Sequence, residues 1–177
     1  MRERADGPLV VTETVTIPGT RGAIGVQPIV LRSRTNPNKL VVFLRSRCTP
    51  RIQFTLSNDD GTTFEPIRPT IFPNNNSGIG AAFVGRHLVL AFNNCTGRRR
   101  VPLTLAVSED EGETWLRVRD VVDCDAAGEY SYPFVHAVDE TRFMLAWTHR
   151  RESIAISLFN LEWILRDGRS CSAECAQ

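Results

Sequence analysis

The sequence has almost no excess charge of either sign and no long apolar segment. It has 21 Lys+Arg and 20 Asp+Glu among 177 residues, which gives a formal net charge of +1 at pH 7. A nearly neutral chain produces no field that would steer it onto nucleic acid or anionic lipid. Apolar runs such as 40–44 and 88–92 are five residues long, whereas a membrane-spanning helix needs about 20. We therefore expect neither a nucleic-acid partner nor a membrane span.

Motifs for secretion and for metal binding are also missing. The charged start, Met1 to Pro8, lacks the apolar core of a secretory signal. Either the protein is cytosolic or Met1 is not its natural start, and the cellular location stays open. The five cysteines include no Cys-x-x-Cys pair and the three histidines are scattered. We expect no metal site, no cofactor and mostly structural or free thiols, while a bridge between Cys171 and Cys175 remains an alternative.

A repeat with an offset of 51 residues organises the chain. Residues 52–64 align without a gap on 103–115, and the same offset leads to a third β-like run at 154–158. The first two copies end in the turn Ser-x-Asp-x-Gly-x-Thr-aromatic, at 57–64 and 108–115. In such a turn the aspartate accepts hydrogen bonds from backbone N–H groups, the glycine supplies positive φ, and the aromatic ring packs between sheets. We interpret the turn as a folding device and assign it no catalytic role.

Short β-like segments bounded by Gly, Asn and Pro surround these turns. Four short antiparallel strands in a unit of about 50 residues are typical of a β-propeller blade. We therefore expect an all-β protein, a β-propeller with about three four-stranded blades in this chain, and a single helical turn at 161–165. Besides the repeated runs, the predicted strands are 26–31, 40–44, 79–84, 88–92, 115–122, 132–138 and 143–147.

The pattern divides the chain into three regions. Residues 1–24 are interpreted as the remnant of a preceding blade, 25–165 as propeller blades, and 166–177 as a polar tail. Propellers protect their sheet edges by closing a ring of about four to eight blades, so three blades are too few. We interpret the chain as a fragment that needs a missing N-terminal half or a second copy to close the ring.

The two turns, together with Gly128-Glu129-Tyr130-Ser131-Tyr132-Pro133 and Trp147 to Arg151, resemble the C-terminal half of the sialidase-like six-bladed propellers with their bacterial neuraminidase repeats, or Asp-boxes. The resemblance implies a glycoside hydrolase of the exo-α-sialidase type, with a sialylated or other acidic glycan as substrate. Sialidases bind the substrate's carboxylate with three arginines, since the guanidinium fork matches a carboxylate bidentately. The resemblance places two of these arginines at Arg45 and Arg100, and a shift of register would exchange Arg100 for the adjacent Arg98 or Arg99.

The resemblance also implies a tyrosine nucleophile, because a neutral phenol can approach an anionic substrate that would repel a carboxylate. The Tyr-Ser pair of the family matches Tyr130-Ser131 and makes Tyr130 the candidate. Tyr132 is the alternative, and strand alternation places it on the same face as Tyr130. Gln27 and Asn76 are expected to line the pocket and to meet sugar hydroxyls.

Some of the residues that the family uses are missing. The activating glutamate would fall near 25–27, where there is no carboxylate, and Glu129 is a weaker substitute. The first arginine and the acid/base aspartate belong to N-terminal blades, and Arg2, Arg4 and Asp6 lie in no matching motif. Loss of a general acid alone typically costs a factor of about 10² to 10⁴ in rate. A non-catalytic carbohydrate-binding or structural propeller fragment, and an enzyme acting on another acidic sugar, therefore stay open.

Overall fold

The computed structural model describes residues 14–19, 25–122 and 128–170, which contain three antiparallel sheets and a short helix. The predictions for residues 1–13, for Cys124 and for the Cys171–Cys175 pair concern residues outside the described ones. No helix in the described segments is both long and apolar enough to cross a membrane. The elements are β1 (Gly25–Arg32), β2 (Leu40–Ser46), β3 (Arg51–Ser57), β4 (Arg68–Pro73), β5 (Gly80–Val84), β6 (His87–Asn93), β7 (Leu103–Ser108), β8 (Arg117–Val122), β9 (Tyr130–Ala137), β10 (Arg142–His149), β11 (Ser153–Asn160), α1 (Leu161–Asp167) and β12 (Arg169–Ser170).

The strands form three sheets in which chain neighbours pair side by side. The first sheet has the order β1-β2-β3-β4, the second β12-β8-β7-β6-β5, and the third β11-β10-β9. The predicted all-β architecture of successive antiparallel units is confirmed. In the third sheet, β11 is followed by α1 rather than by a fourth strand, and β12 then returns to the edge of the second sheet. The described part of the chain thus remains folded through residue 170, within the region predicted as a tail.

Aromatic side chains from neighbouring sheets fill the core between the first and second sheets. The ring of Phe72 lies 4.6 Å from that of Phe92 and 4.8 Å from that of Trp115. Trp115 also contacts Phe43 at 6.1 Å between centroids. Trp115 ends the second Asp-box, so the turn delivers its aromatic residue into the core as the sequence predicts. A second cluster, which includes Phe143, Leu145, Trp147, Leu103 and Ile164, joins the second and third sheets.

Both Asp-boxes close on themselves through the aspartate. Asp59 accepts hydrogen bonds from the Thr63 backbone N–H at 2.8 Å and from its hydroxyl at 2.6 Å. Asp110 accepts the same pair from Thr114, at 2.8 Å and 2.5 Å. The glycine of the second turn has φ +99, and a Cβ there would lie 2.6 Å from Phe43 Cζ. Only glycine satisfies both the dihedral angle and the contact with the core.

Glu111, in the second Asp-box, fastens the second sheet to the first. Its carboxylate accepts hydrogen bonds from Ser33 Oγ at 2.5 Å and from the Arg34 N–H at 3.2 Å, and it pairs with Lys39 Nζ at 2.9 Å. Burial raises the pKa of Glu111, but hydrogen bonds from Ser33 and Lys39 outweigh that effect and leave the pKa below its ordinary value. We call this contact the inter-sheet latch.

Candidate active site

The first strands of the three sheets, β1, β5 and β9, lie next to one another. Gln27 of β1 and Tyr132 of β9 both lie beside Gly78, where the chain enters β5. A Cβ built on Gly78 would lie 2.8 Å from Tyr132 Cδ1 and 3.3 Å from Gln27 Oε1. The absence of a side chain at Gly78 therefore lets Gln27 and Tyr132 meet over the chain that leads into β5.

β-Bulges shape β1 and β9 at this point. Gln27 lies between Val26, opposite Arg45, and Pro28, opposite Leu44, so it has no cross-strand partner. In β9, Tyr132 and Pro133 together lie opposite the single residue Trp147. Bulges interrupt the strand alternation and re-aim a side chain, and they are common next to active sites.

Left-handed backbone conformations concentrate around the same place. Of the seven non-glycine residues with positive φ among the described residues, Asp60 and Glu111 lie in the Asp-boxes. The other five surround the bulges: Gln27 at 51°, Asn76 at 58°, Tyr132 at 53°, Arg150 at 56° and Arg151 at 60°. Such residues persist only where the surrounding structure imposes them, and they cluster at functional sites.

Tyr132 lies between the two arginines that the sequence singled out. It is 50% exposed, and the Arg100 guanidinium carbon lies 4.9 Å from the centre of its ring. A hydrogen bond and the positive charge of Arg100, together with the charge of Arg45, lower the pKa of Tyr132 below its ordinary value. The structure thus brings Arg45, Arg100 and Tyr132 into one cluster.

Tyr130 occupies a different environment from Tyr132. It is buried, its ring packs 5.0 Å from that of His149, and its hydroxyl accepts a hydrogen bond from Arg150 Nε at 3.3 Å. The expectation that both tyrosines share one strand face is wrong, because the bulge at Tyr132 and Pro133 breaks the alternation. One tyrosine packs in the interior and the other reaches the surface.

Glu129 is the carboxylate of the cluster and forms ion pairs with two of its arginines. Its Oε1 pairs with Arg151 Nε at 2.8 Å and with Arg100 Nη1 at 3.1 Å, and accepts from Ser131 Oγ at 3.3 Å. The hydrogen bond from Arg151, with the charges of Arg100 and Arg151, lowers the pKa of Glu129 despite the opposing effect of burial. Its two arginine partners therefore favour the charged form of this carboxylate.

The sequence reasoning missed Arg151. It lies in the turn between β10 and β11, while Arg45 is the second-last residue of β2 and Arg100 lies between β6 and β7. Arg151 follows Arg100 by 51 residues, which is the offset of the repeat. That offset is the signal that would have identified it.

Gln27 and Asn76, the other predicted pocket residues, both lie at the cluster and are exposed. The Asn76 carbonyl accepts a hydrogen bond from Arg45 Nη1 at 3.4 Å, and so helps to position that arginine. Arg45 Nε and Ser77 Oγ are buried without a hydrogen-bond partner among the described residues. The cluster therefore has donor capacity that the described protein groups do not use.

The described residues hold no group of three or more His, Cys, Asp or Glu side chains suited to a metal ion. Cys48 and Cys95 are free thiols.

The fold and the cluster define the class of protein: the chain is related to the sialidase-like propellers built from bacterial neuraminidase repeats. Residues 5–145 match the family described as BNR repeat-like domain. The chain belongs to this family. A search of curated proteins finds no match.

Solved structures share the fold at low sequence identity. The NanB sialidase of Streptococcus pneumoniae is 13% identical with a TM-score of 0.62, and the match covers 76% of this chain and 23% of that one. The Hadza microbial sialidase Hz136 is 16% identical with a TM-score of 0.66, over 79% of this chain and 28% of that one. An α-L-arabinanase of Penicillium chrysogenum is 13% identical with a TM-score of 0.55, over 79% and 46%. The chain thus spans less than half the length of each of these proteins.

Proposed function

We propose that this chain supplies one half of a sialidase-like active site, which binds the carboxylate of a terminal acidic sugar. In the whole protein, the site would cleave the glycosidic bond of that sugar. The observation that carries the proposal is the position of the half-exposed Tyr132 phenol between Arg45 and Arg100. The glycoside hydrolase-like fold of the family is consistent with it.

The charges of the cluster favour an anionic ligand. Arg45, Arg100 and Arg151 carry three positive charges, and Glu129 balances one of them. Arg100 and Arg151 share the Glu129 carboxylate, whereas the Arg45 guanidinium bonds to a backbone carbonyl at 3.4 Å. Arg45 therefore keeps the most donor capacity for a bidentate bond to a substrate carboxylate.

Of the two candidate nucleophiles, the structure favours Tyr132. Its hydroxyl lies at the surface beside two arginines that lower its pKa, so more of it is phenolate at neutral pH. In the proposed step the phenolate oxygen bonds to the anomeric carbon as the glycosidic bond breaks. The leaving oxygen takes its proton from an acid that the resemblance locates in N-terminal blades, and water then hydrolyses the glycosyl-enzyme bond. The hydroxyl of Tyr130 is instead buried and engaged with Arg150.

The state of Glu129 favours a second candidate function, carbohydrate binding without turnover. Its low pKa and its two arginine partners make it a poor base for deprotonating a tyrosine. Lowering the phenol pKa through Arg100 and Arg45 replaces part of that activation, but it supplies no proton to a leaving group. On this alternative, the same arginines bind an acidic sugar and no bond is broken.

Ligand binding tests the feature common to both candidates. We expect the chain to bind N-acetylneuraminic acid in titration calorimetry or ligand-observed NMR, and to bind its uncharged methyl ester at least about tenfold more weakly, since the arginines lose a charged partner. Arg45→Ala and Arg100→Ala should each reduce the preference for the acid. Arg166→Ala, on the exposed face of α1, is the matched control. Equal binding of acid and ester would overturn the proposal, and a preference for glucuronic acid would redirect it to another acidic sugar.

Release of a fluorogenic phenol from a sialic acid glycoside separates catalysis from binding. If the chain is active, Tyr132→Phe should abolish the release and Tyr130→Phe should leave most of it. The reverse outcome would assign the nucleophile to Tyr130. Binding without release by a protein that also contains the N-terminal blades would leave the second candidate function, whereas the same result with this chain alone fits both candidates.

A further inference from the structure

The near-zero net charge of the chain conceals a division of charge between two ends of the described structure. Strands β2, β6 and β10 end beside the starts of β1, β5 and β9. The connections from β2 to β3, from β6 to β7 and from β10 to β11 therefore lie at the end that carries the arginine cluster. Together they contain six arginines, Arg47 and those at 98–100 and 150–151, and one carboxylate, Glu152. We call this end the basic end.

The opposite end, where both Asp-boxes lie, is acidic. Residues 58–65, 109–113 and 139–140 lie in its turns and contain nine carboxylates and no lysine or arginine. The sequence between β8 and β9 adds Asp123, Asp125 and Glu129, and the arginines of the basic end still outnumber its carboxylates when these three are counted. A division of this kind attracts a polyanion to one end and repels it from the other.

Two arginines extend the positive charge of the cluster beyond the cluster itself. Arg47 and Arg98 each lie two residues from one of its members, Arg45 and Arg100 respectively. Both are exposed, and among the described residues neither pairs with a carboxylate. The Glu129 carboxylate, by contrast, is already shared by two arginines of the cluster. We call Arg47 and Arg98 the basic rim.

Hydrogen bonds from a single connection hold the two loops that carry the basic rim. Asn74 Nδ2 donates to the carbonyl of Ser46 at 2.6 Å and to that of Thr49 at 2.8 Å, and so ties both ends of the loop between β2 and β3. Asn75 Nδ2 donates to the carbonyl of Arg99 at 2.7 Å, in the loop between β6 and β7. Both asparagines precede the point where the chain enters β5 at the cluster. The backbone of the rim is therefore fixed relative to the site, which lowers the cost of ordering it around a ligand.

We propose that the basic rim binds the carboxylates of sugars that follow the terminal one, so that the ligand of this site is an oligosaccharide of several acidic sugars. The inference rests on the proposed function, in which Arg45 binds the carboxylate of the terminal sugar. A guanidinium group matches a carboxylate bidentately and stays charged at any useful pH. A glycan whose further sugars are neutral offers the rim no such partner.

Nucleic acid is the other common polyanion, and the basic end suits it less well. Proteins that bind single strands combine positive charge with aromatic side chains on which the bases stack. The three connections that carry the arginines of the basic end contain no aromatic residue. The amide groups of Gln27 and Asn76 at the cluster suit sugar hydroxyls, and the fold of the family is glycoside hydrolase-like. These observations favour a glycan.

Two ligands with the same terminal sugar test the proposal on the full chain. One is a linear tetramer of N-acetylneuraminic acid, and the other is sialyllactose, in which that sugar is followed by neutral ones. In titration calorimetry at about 20 mM NaCl, we expect the tetramer to bind about tenfold more tightly, because two further arginine–carboxylate pairs form. In about 1 M NaCl, where the Debye length falls to ~3 Å, the difference should shrink below about twofold.

A double variant assigns the difference to the basic rim. Arg47→Ala combined with Arg98→Ala should remove the advantage of the tetramer and change the affinity for sialyllactose by less than about twofold, since the cluster itself is intact. Arg34→Ala combined with Arg166→Ala is the matched control, because it removes the same charge from exposed positions at the acidic end. The control should keep the advantage of the tetramer.

The possible failures are distinguishable. Equal affinity for the two ligands at low salt would overturn the role of the rim and leave the proposed function intact. An advantage that survives the rim variant, or that the control also removes, would overturn the rim in favour of another surface or of net charge alone. An oligothymidylate of the same charge that binds as tightly as the tetramer would assign the basic end to nucleic acid. Failure to bind either sugar ligand would overturn the rim together with the proposed function.

Discussion

Removing the carboxylate of Glu111 should destabilise the contact between the first and second sheets more than the loss of a surface ion pair would. Glu111 is 7% exposed and accepts hydrogen bonds from Ser33 and Arg34 while it pairs with Lys39. Glu111→Ala leaves these three donors without their acceptor, in a site where Ser33 is 8% exposed. A hydrogen bond to a charged group contributes about 1.5 to 3 kcal/mol, and breaking a buried pair costs about 3 to 5 kcal/mol. Since Lys39 keeps partial access to water, we expect a loss of about 3 kcal/mol.

Thermal and urea unfolding followed by circular dichroism measure this loss. For a chain of this size about 3 kcal/mol corresponds to a fall of ~6 to 12 °C in Tm. Glu109→Ala is the matched control, because Glu109 lies in the same Asp-box but forms exposed pairs with Arg86 and His87. Exposed pairs contribute less than about 1 kcal/mol. A Glu111→Ala protein as stable as Glu109→Ala would refute the role of the inter-sheet latch.

The pH dependence of the latch provides an independent readout. The pKa of Glu111 is lowered from 4.5 in the folded chain, so its carboxylate stabilises the fold above the pKa of the unfolded state. That contribution is lost as the pH falls below about 4.5 and through the folded pKa. The stability difference between the unaltered chain and Glu111→Gln should therefore shrink in acid. A difference that stays constant down to pH 3, roughly one unit below the ordinary pKa of a carboxyl group, would contradict the assignment.

Three further outcomes are expected. Trp115→Ala should lower the free energy of unfolding in urea by about 3 to 5 kcal/mol, because it leaves a cavity where the indole packs against Phe72. A loss below about 1 kcal/mol would contradict this packing. The chain has 2 tyrosines, so ultraviolet titration should resolve a phenol whose pKa is lowered. Tyr132→Phe should remove this phenol, and Arg100→Ala should raise its pKa. If Arg100→Ala leaves the pKa unchanged, Arg100 is excluded as the cause. Gly78→Ala should weaken binding of an acidic sugar at least about tenfold, because its Cβ would lie 2.8 Å from Tyr132 Cδ1 and 3.3 Å from Tyr132 Cα and would displace that residue. Unchanged binding would show that the position of Tyr132 does not affect the site.

The strands of the first two sheets were predictable because the repeat and the Asp-boxes fix their ends. Residues 57–64 and 108–115 encode their turn in local hydrogen bonds, and β3 and β7 end at Ser57 and Ser108. The third unit lacks this turn, and although the 51-residue offset carries Arg100 onto Arg151, no Asp-box marks the repeat there. The local sequence therefore predicted the strands and turns, whereas the missing Asp-box concealed a residue of the candidate site.

Long-range contacts set the features that the sequence did not predict. Alternation placed Tyr130 and Tyr132 on one face, and the bulge that separates them depends on pairing with β10. Alternation in β11 shows that Ile154 and Ile156 share a face. It does not show which face is covered, since that depends on where the chain goes after residue 160.

The five left-handed residues around the arginine cluster imply a conflict between stability and use. Each costs about 1 kcal/mol or more relative to a relaxed backbone, and glycine at the same position would remove most of that cost. Selection for thermal stability alone would therefore replace residues such as Gln27, Asn76 and Arg151 first. The positions where substitution would most easily stabilise the fold are therefore the positions where the proposed ligand binding would be lost.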